Sequence, residues 1–451
     1  MNSMMSLANV LRKVFLATLI GLSAMPLAGQ PAHAEATSTV TFAFWGDPAE
    51  EAAYDEVIAG FEAANPDIDV EPVYTPGKED YQTKLSTAFA AGQPPDVFLI
   101  NYRRFGQYAA RGALEPVGPL LRESQMLREE DFYQEPLEAF RYRGDELTCL
   151  PQNISSLVVY YNQDLFEANG VPLPEPGWTW DDFVATAEAL TYDRDGDHIN
   201  EVYGVAVDPS FIRYAPFIWG AGGEIVDDLD SPTTLTLDTP EARAGIEALI
   251  SLGYTDHGVV PNESEALAED DESRFMRGGA AMLLQSRRVV PTLREIDGFT
   301  WDVAPLPEGP TGPASVLHSD AFCLAADAAD KDAAWRFIEY AAGVEGQTTL
   351  AYTGRTVPSL RSVAESDAFL KGTRLGGQVG IGLPPRSARV FLDTIPTIRR
   401  VPSISTWPEV EEAFNSAFKR AFYVEIDIDG AIDVATHRSR EAFQRAAEEE
   451  L

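Results

Sequence analysis

The sequence predicts an α/β protein built from two structural domains, and three observations lead to this class. Apolar runs and amphipathic segments follow one another in a β-α-β-α-β order between residues 39 and 101, which is typical of a parallel sheet with helices on both faces. A second alternation of the same kind begins near residue 153. Residues 35–451 are also too many for a single core, and an apolar content of 45% is enough for two cores.

The segment 1–34 is expected to be a secretory signal peptide that lies outside the folded domains. Arg12 and Lys13 precede the apolar stretch VFLATLIGLSAM, and small residues occupy the −3 and −1 positions of a cleavage site after Ala34. The apolar stretch is too short for a membrane-spanning helix, and no later segment has the length and hydropathy of one. We therefore expect an exported protein that is not embedded in a membrane.

The first domain is predicted element by element from its repeating pattern. Residues 39–45 form a buried strand, a helix follows, and DIDVEPVY alternates as a second strand. YQTKLSTAFAAG is predicted as the second helix and PPDVFLIN as a third, continuously apolar strand. Parallel sheets bind ligands beyond the carboxyl ends of their strands, where Trp45, Asp47, Asn101 and Tyr102 fall. A glycine motif that cradles nucleotide phosphates does not follow the first strand.

The second domain shows the same alternation, with one helix start that can be assigned. NISSLVVYYNQDLF is predicted as a strand that enters a helix, and PGWTWDDFVATAEALT as a helix capped by Thr179 with Asp182 three residues on. HSDAFCLAADAADKDAAWRFIEYAAG is a strand followed by a helix, and two amphipathic segments close the chain. Aromatic, polar and glycine residues at the inferred strand ends and connections are the ligand-binding candidates. The full set is Trp45, Asp47, Asn101, Tyr102, Tyr161, Asn162, Trp219, Gly222, Arg287, Arg288, Asp320 and Arg355.

Composition and motifs exclude some functions and disfavour others. A net charge of −37 would repel the phosphates of nucleic acid. The sequence carries neither the GxSxG nucleophile motif nor the HExxH zinc motif. A pair of carboxylates placed across a sugar, as in a glycosidase, leaves no sequence signature. A secreted glycoside-processing enzyme therefore stays open as the less favoured alternative to a binding protein.

Two cysteines, Cys149 and Cys323, lie in apolar, strand-like runs. Buried free thiols are a common state of cysteine, whereas an oxidising compartment favours a disulfide. A disulfide would require the two strands to be neighbours. The sequence leaves both alternatives open.

Several segments, taken in order, resemble the family 1 extracellular solute-binding proteins, which capture carbohydrates for ABC importers. They are TFAFWGD, FEAANPDIDVE, AAGQPPDVFLIN, LVVYYNQDLFEANGVPLPEPGWTWDDF, RGGAAMLL and AWRFIEYAAG. The resemblance covers nearly all of the chain after residue 34 and implies a two-lobed periplasmic binding protein fold, type II-like. Each lobe would hold a mostly parallel sheet flanked by helices. The family also implies three hinge crossings between the lobes, which we place near 151–157, 317–322 and 356–360.

The same resemblance sets the expected domain boundaries and partners. Lobe 1 would comprise 35–152 plus 320–358, and lobe 2 would comprise 153–319 plus 359–451. The implied protein is a periplasmic monomer, not an enzyme, that binds a carbohydrate in the cleft between the lobes and delivers it to ABC transporter permease subunits. The chain departs from the family in one place: where a sugar-stacking tryptophan often follows AAM, this sequence has LLQSRRVVP.

The candidate residues fit a saccharide, because sugars present apolar faces to aromatic rings and hydroxyl groups to planar hydrogen-bonding side chains. Arg287 and Arg288 follow a short strand, and arginine suits carboxylate, sulfonate or phosphate groups. A sugar acid, a sulfo- or phospho-sugar or a phosphodiester is therefore the alternative solute. The individual sugar is not specified by any pattern in the sequence.

The stretch DRDGDHINEVYG, residues 193–204, is a candidate for a structural Ca²⁺ site. Three aspartates lie two residues apart, so a tight turn can direct their oxygens to one point, as this hard cation prefers. The expected ligands are Asp193, Asp195, Asp197, the carbonyl of Ile199, and Glu201. His198 stands where such loops favour glycine, and a metal-free turn is the alternative.

Overall fold

The computed structural model describes residues 38–142, 146–193, 196, 200–253, 257–372 and 385–449, and the backbone of 374–375 and 378–379. Its strands in chain order are β1 (Ser38–Trp45), β2 (Ile68–Thr75), β3 (Val97–Asn101), β4 (Leu114–Glu115), β5 (Leu150–Pro151), β6 (Leu157–Asn162), β7 (Tyr203–Ala206), β8 (Ala280–Ser286), β9 (Trp301–Ala304), β10 (Ser315–Val316), β11 (Asp320–Ala325), β12 (Arg374–Leu375), β13 (Gln378–Val379) and β14 (Ile398–Arg399). Its α-helices are α1 (Pro48–Ala64), α2 (Lys78–Ala90), α3 (Tyr102–Ala109), α4 (Gly118–Glu123), α5 (Gln134–Ala139), α6 (Gln163–Asn169), α7 (Trp180–Ala189), α8 (Phe211–Gly220), α9 (Pro240–Ser251), α10 (Glu263–Ala268), α11 (Asp271–Met276), α12 (Val290–Leu293), α13 (Lys331–Ala341), α14 (Val344–Thr353), α15 (Arg361–Ala364), α16 (Asp367–Leu370), α17 (Val390–Asp393), α18 (Trp407–Phe422) and α19 (Ile428–Glu449).

The first sheet has the strand order β2-β1-β3-β11-β4, and β5 also pairs with β11. β1 is parallel to β2 and β3, while β11 is antiparallel to β3. Its strands are largely apolar because helices cover both faces of the sheet. A cluster of buried rings packs between the sheet and helices α1 and α13, formed by Phe42, Phe44, Tyr54, Phe322 and Phe337. The predicted β-α-β-α-β order of the first domain is confirmed.

The second sheet has the strand order β7-β8-β6-β9. β7 and β8 are parallel, but β6 is antiparallel to both β8 and β9. The prediction of a mostly parallel sheet is therefore wrong for this region. A fully buried strand has the same apolar pattern whichever way its neighbours run, and every residue of β6 and β8 is buried. The pattern could not distinguish the two pairings.

The predicted start of α7 is confirmed by a reciprocal capping pair. The hydroxyl of Thr179 accepts the N–H of Asp182 over 3.2 Å, and the Asp182 carboxylate accepts the N–H of Thr179 over 2.9 Å. These two bonds satisfy amides that a helix start otherwise leaves without partners.

The C-terminal helices α18 and α19 pack against each other, and α18 also reaches α3 and α8. Phe414 and Phe418, one turn apart on α18, stack with ring centroids 4.1 Å apart, and Phe211 of α8 packs edge-on against Phe414. This spacing of apolar residues forms the buried stripe of an amphipathic helix. In the part of the chain that the structure describes, no helix combines the length and hydropathy needed to cross a bilayer.

The three predicted crossing segments lie side by side. Ser155 and His318 exchange two backbone hydrogen bonds of 2.8 Å each, and Ile154 donates to the carbonyl of Val357 over 2.9 Å. The strands of the first sheet lie within the ranges predicted for lobe 1, and those of the second sheet lie within the ranges predicted for lobe 2. The segments therefore form a narrow backbone connection between the two sheets.

After the third segment the chain remains beside the helices of the first sheet. Leu360 forms a bridge with Phe132, and the Arg361 guanidinium donates to the Phe132 carbonyl over 3.0 Å and lies over the ring of Tyr133. Helices α15 and α16 pack on α14. The described residues on both sides of the predicted boundary at residue 358 therefore contact the helices of the first sheet. The exact lobe boundaries stay a prediction.

Cys149 and Cys323 form a disulfide, with Cα atoms 4.6 Å apart. The pairing of β5 with β11 makes their strands neighbours, which decides between the alternatives that the sequence left open. The bond ties β5, just before the first crossing segment, to β11, which follows the second.

Candidate functional site

Polar side chains gather at one edge of the first sheet, where β1 and β3 end and β11 begins. Asn101, the last residue of β3, is opposite Asp320, the first residue of β11. The Asn101 amide donates to the Asp320 carboxylate over 3.0 Å and to the Ser319 carbonyl over 3.1 Å. Asn153, in the first crossing segment, donates to the other carboxylate oxygen of Asp320 over 3.4 Å. Because β11 is antiparallel to β3, its beginning lies at the edge where β3 ends.

Arg355 lies at the same edge and pairs with two carboxylates. Its Nη1 is 2.7 Å from Asp47 Oδ2, and its Nε is 2.5 Å from Glu50 Oε2. Asp47 also caps α1 by accepting the N–H groups of Ala49 and Glu50, so the capping bonds hold its carboxylate in place. Burial raises the pKa of Glu50 to about 8, against the opposing effect of Arg355. Nη1 of Arg355 is also 3.5 Å from the Arg288 carbonyl, which links this edge to the end of β8.

Trp45 is half-buried at the end of β1, with its ring centroid 4.8 Å from that of Tyr81. It lines a cavity of about 50 Å³ together with Asn101, Arg104 and Gln107. An aromatic face beside planar amide and guanidinium groups is an arrangement that suits a sugar ring.

An ion pair joins the first-sheet edge to the C-terminal helices. Arg103 Nη1 is 2.5 Å from Glu411 Oε1 on α18, and Arg103 Nε donates to the Asn101 side chain over 3.2 Å. The neighbouring Tyr102 is fully buried. The turn into α3 places the Tyr102 ring in the interior and leaves Arg103 beside Asn101, and solute contact by Tyr102 stays a prediction.

The corresponding edge of the second sheet lies where β8 ends. Arg288 forms an ion pair with Glu272, and the Gln285 amide donates to the same carboxylate over 2.8 Å. Arg213, at the start of α8, is buried, and burial lowers its pKa while the charge of Asp271 acts in the opposite direction.

Arg287 does not line an open cleft. It is 1% exposed, and its guanidinium lies between the rings of Phe369 and Phe391 at 4.2 and 4.7 Å from their centroids. Burial, with the positive charge of Arg294, lowers the pKa of Arg287 to about 9. Aromatic rings cover the group that would have to reach the solute, and solute contact by Arg287 stays a prediction.

Tyr161 and Asn162 lie at the opposite edge of the second sheet. The antiparallel register of β6 and β8 places them away from Ser286, where β8 ends. Tyr161 packs against Phe166, and Asn162 caps α6 by accepting the N–H of Leu165 over 3.1 Å. Both side chains are buried. The antiparallel register separates them from the end of β8, and their role in solute binding stays a prediction.

Trp219 and Gly222 lie near the end of α8. The Arg399 guanidinium is 4.9 Å from the Trp219 ring centroid. Sugar stacking needs an open ring face, and Trp219 is only 5% exposed. Gly222 has φ +90°, and a Cβ there would lie 3.0 Å from the Thr311 side chain, so the turn itself requires glycine. Solute contact by these two residues stays a prediction.

A larger cavity, of about 310 Å³, lies between α7, α8 and α9. Its walls include Trp180, Phe217, Ala244, Leu306 and Pro310, and it contains none of the predicted ligand-binding residues.

The predicted calcium loop is described only in part. Asp195, Asp197 and Ile199 lie outside the described residues, and Asp193 and Glu201 lie inside them. Asp193 accepts the N–H of Gly196 over 2.7 Å, and Gly196 has φ +78°, which is the geometry of a tight turn. The Ca²⁺ assignment therefore stays a prediction.

Sequence reasoning missed several residues near the two edges. They are Glu50, Lys78, Asn153 and His318. Lys78 follows β2 as Asp47 follows β1. The expectation that ligands bind beyond the carboxyl ends of strands, applied to the second strand, would have found it. Asn153 and His318 lie inside the predicted crossing segments, which were treated only as connections between lobes.

The chain belongs to the family of bacterial extracellular solute-binding proteins, whose model matches residues 45–348. A putative binding protein of Brucella abortus is 24% identical over 442 residues, which cover 95% of this chain and 98% of that protein. A maltotriose-binding protein of Pyrococcus abyssi is 26% identical over 283 residues, covering 60% of this chain and 56% of the relative.

The fold is similar to that of an ABC substrate-binding protein from Listeria monocytogenes in complex with cycloalternan. The TM-score is 0.78 at 23% identity, and the match covers 91% of this chain and 99% of the other. This similarity confirms the predicted two-lobed α/β fold. Membership of the family likewise confirms that the chain is a binding protein rather than an enzyme.

Proposed function

We propose that this protein binds a neutral saccharide where the two sheet edges meet, and that it delivers the saccharide to the permease subunits of an ABC transporter. The observation that carries the proposal is the convergence of Asn101, Asn153, Asp320 and Arg355, with Trp45 beside them, at one edge of the first sheet. Carboxylate, amide and guanidinium groups bind hydroxyls in fixed directions, and the indole offers an apolar face. The maltotriose and cycloalternan bound by similar proteins support a carbohydrate.

Charge pairing favours a neutral saccharide over an anionic one. Arg355 is shared by Asp47 and Glu50, and Arg288 pairs with Glu272. Arg103 pairs with Glu411 in the same way. An anionic sugar would have to displace these carboxylates to reach the guanidinium of Arg355, Arg288 or Arg103. Sugar acids and phospho-sugars are therefore the less favoured solutes.

The remaining parts of the proposal concern the whole chain. The signal-like segment 1–34 and the family support export to the periplasm, with cleavage after Ala34. We propose that the exported protein is a monomer and that the loop 193–201 holds Ca²⁺, supported by the tight turn at Asp193. A bound ion would stabilise the fold by about 2.7 kcal/mol at a hundredfold excess over its Kd. A chelator should then lower the melting temperature, and an unchanged melting temperature would contradict the calcium site.

A thermal-shift screen tests the saccharide proposal. The probes are tagatose, maltose, maltotriose and mannotriose as neutral sugars, with galacturonate and glucose 6-phosphate as anionic ones. We expect a higher melting temperature with at least one neutral sugar and no shift with the anionic probes. Chromatography of the recovered sugar should show it unchanged. Stabilisation by the anionic probes alone would contradict the neutral solute, and a processed sugar would contradict the binding role.

A further inference from the structure

The crossing segments between the two sheets carry polar side chains as well as backbone bonds. Ser155 and His318 are directly opposed in an antiparallel bridge, so their side chains lie on the same side of the strand pair. Residues two apart on a strand also share a face. His318 therefore shares its face with Asp320, which belongs to the first-sheet group, whereas Leu317 and Ser319 point to the other side and are fully buried.

Two atoms on this face have no hydrogen-bond partner among the described residues. They are the Ser155 hydroxyl oxygen and His318 Nδ1, and both are buried, although the His318 side chain as a whole is partly exposed. Buried polar atoms are normally paired, and leaving one without a partner costs about 1–3 kcal/mol. Two such atoms, on residues opposed in one bridge, indicate that this surface is complementary to polar groups that are not part of the chain.

The charges around His318 place it between the two sheet edges. Arg103 and Lys78 act on it from the side of the first sheet, and Arg213 and Arg288 act from the side of the second. Burial and these four positive charges hold the pKa of His318 well below its usual value, so the ring is neutral. A neutral imidazole nitrogen and a hydroxyl can each exchange hydrogen bonds with an uncharged hydroxyl group.

We propose that Ser155 and His318 form a hydroxyl-binding pair at the floor of the cleft, and that this pair holds two neighbouring hydroxyl groups of one sugar ring. The assignment rests on the proposed saccharide function and adds the residues that determine which hydroxyl pattern fits. Because both residues lie on the segments that connect the two sheets, a sugar held there contacts the connection itself as well as the two edges.

Isothermal titration calorimetry tests the pair. The titrant is whichever of tagatose, maltose, maltotriose and mannotriose gives the largest thermal shift with the wild-type protein. We expect His318→Ala and Ser155→Ala each to weaken binding about 10-fold, because each removes one hydrogen bond from a desolvated site. His257→Ala is the matched control, since His257 pairs with Glu188 of α7 and contacts none of the proposed site residues in the described part of the chain, and it should leave the Kd unchanged.

A second measurement covers the case in which a variant fails to fold. In the wild-type protein, the imidazole resonances of His318 should shift when the same sugar is added, while those of His257 and His437 should not. The chain has five histidines, so His33→Asn, His198→Asn, His257→Asn and His437→Asn, made singly, assign the other four and leave the remaining resonances to His318. An unchanged Kd in both alanine variants, or an unchanged His318 resonance at saturation, overturns the pair while the saccharide function stands. If none of the four sugars binds the wild-type protein, the saccharide function is overturned and the pair with it.

Discussion

The edge of the first sheet and the edge of the second differ in whether the residues that follow neighbouring strands come together. In the first sheet, β1 and β3 are parallel, and β11 begins where they end. Asp47, Asn101 and Asp320 therefore meet there, as predicted. In the second sheet, β6 is antiparallel to β8. Its end carries Tyr161 and Asn162 to the far edge, where they serve the core and a helix cap.

Residues that follow strands form a common site only under one condition. Carboxyl ends meet at one edge only when neighbouring strands run the same way. In an antiparallel pair, the beginning of one strand lies beside the end of the next. For the second sheet, the relevant residues are those after β8 and those near the start of β6. Arg288 and Ser155 occupy these two positions.

The largest expected effect concerns the disulfide, which lies only in the first sheet. Replacing both cysteines with alanine should lower the free energy of unfolding by about 3–5 kcal/mol, because the bond closes a long loop in the unfolded chain. The two cysteines are separated by 174 positions. Urea denaturation with and without a reductant measures this loss.

The second sheet has no bond of this kind among the described residues. Tryptophan fluorescence reports on that region. It should follow the same urea transition as the first sheet if the two regions unfold together. Equal stability of the double variant and the wild-type protein would contradict a structural role for the disulfide.

Arg355 and Arg288 offer a direct comparison of the two edges. Arg355→Ala leaves the buried Glu50 carboxyl without its hydrogen-bonding partner, and a buried polar group left in this state costs about 1–3 kcal/mol. The Arg288 side chain is 53% exposed, and an exposed pair contributes about 1 kcal/mol or less. Thermal denaturation of the two variants measures the difference.

Lysine substitution refines the same test. Arg355→Lys retains the charge but not the fork that reaches Asp47 and Glu50 together, so it should recover only part of the lost stability. If Arg288→Ala proves the more destabilising change, the first edge is not the more tightly fixed of the two.

Asn101 caps α3 by accepting the N–H of Arg103, as Asn162 caps α6, so substituting each of the two separates binding from stability. Asn101→Ala should weaken binding of the best neutral sugar about 10-fold, since the Asp320 carboxylate then loses the donor that orients it. Asn162→Ala should leave the Kd unchanged and cost about 1 kcal/mol of stability through the lost cap of α6. Calorimetric titration and thermal denaturation of both variants give the two quantities, and equal Kd changes would refute the assignment of the two edges.

The smallest expected effect is a pH dependence from His318. Its pKa in the folded protein lies well below the usual value of 6.5, so the unfolded chain binds the proton more readily. The stabilising contribution is then complete above about pH 6.5 and is lost as the pH falls towards the folded-state pKa.

The measurement is the difference in melting temperature between pH 7.5 and pH 5. His318→Gln removes the titrating group, so this difference should be smaller in the variant than in the wild-type protein. His257→Gln is the control and should behave as the wild type. If the melting temperature of His318→Gln changes as much between pH 7.5 and pH 5 as that of the wild-type protein, the low pKa of His318 does not contribute to the pH dependence of stability.

Much of the first sheet could be predicted because local patterns and global topology agree there. Alternation in β2 and helical spacing in α1 indicate their elements directly, and a β-α-β order fixes the strand direction. The cap at Thr179 could be predicted for the same reason, since the interacting groups are three residues apart. Arg103 and Glu411 could not be paired in this way, because 308 positions separate them and only the packing of α18 on α3 brings them together.

The sequence by itself determined the α/β class, the family resemblance, and the polar residues that end β1 and β3. These depend on short-range periodicity and on residue types in order along the chain. The tertiary structure alone decided the antiparallel direction of β6, the disulfide, the burial of Arg287 between two rings and the opposition of Ser155 to His318. Each of these depends on which strands and helices become neighbours. That choice is made by the packing of segments far apart in the chain, whose apolar patterns are the same in either arrangement.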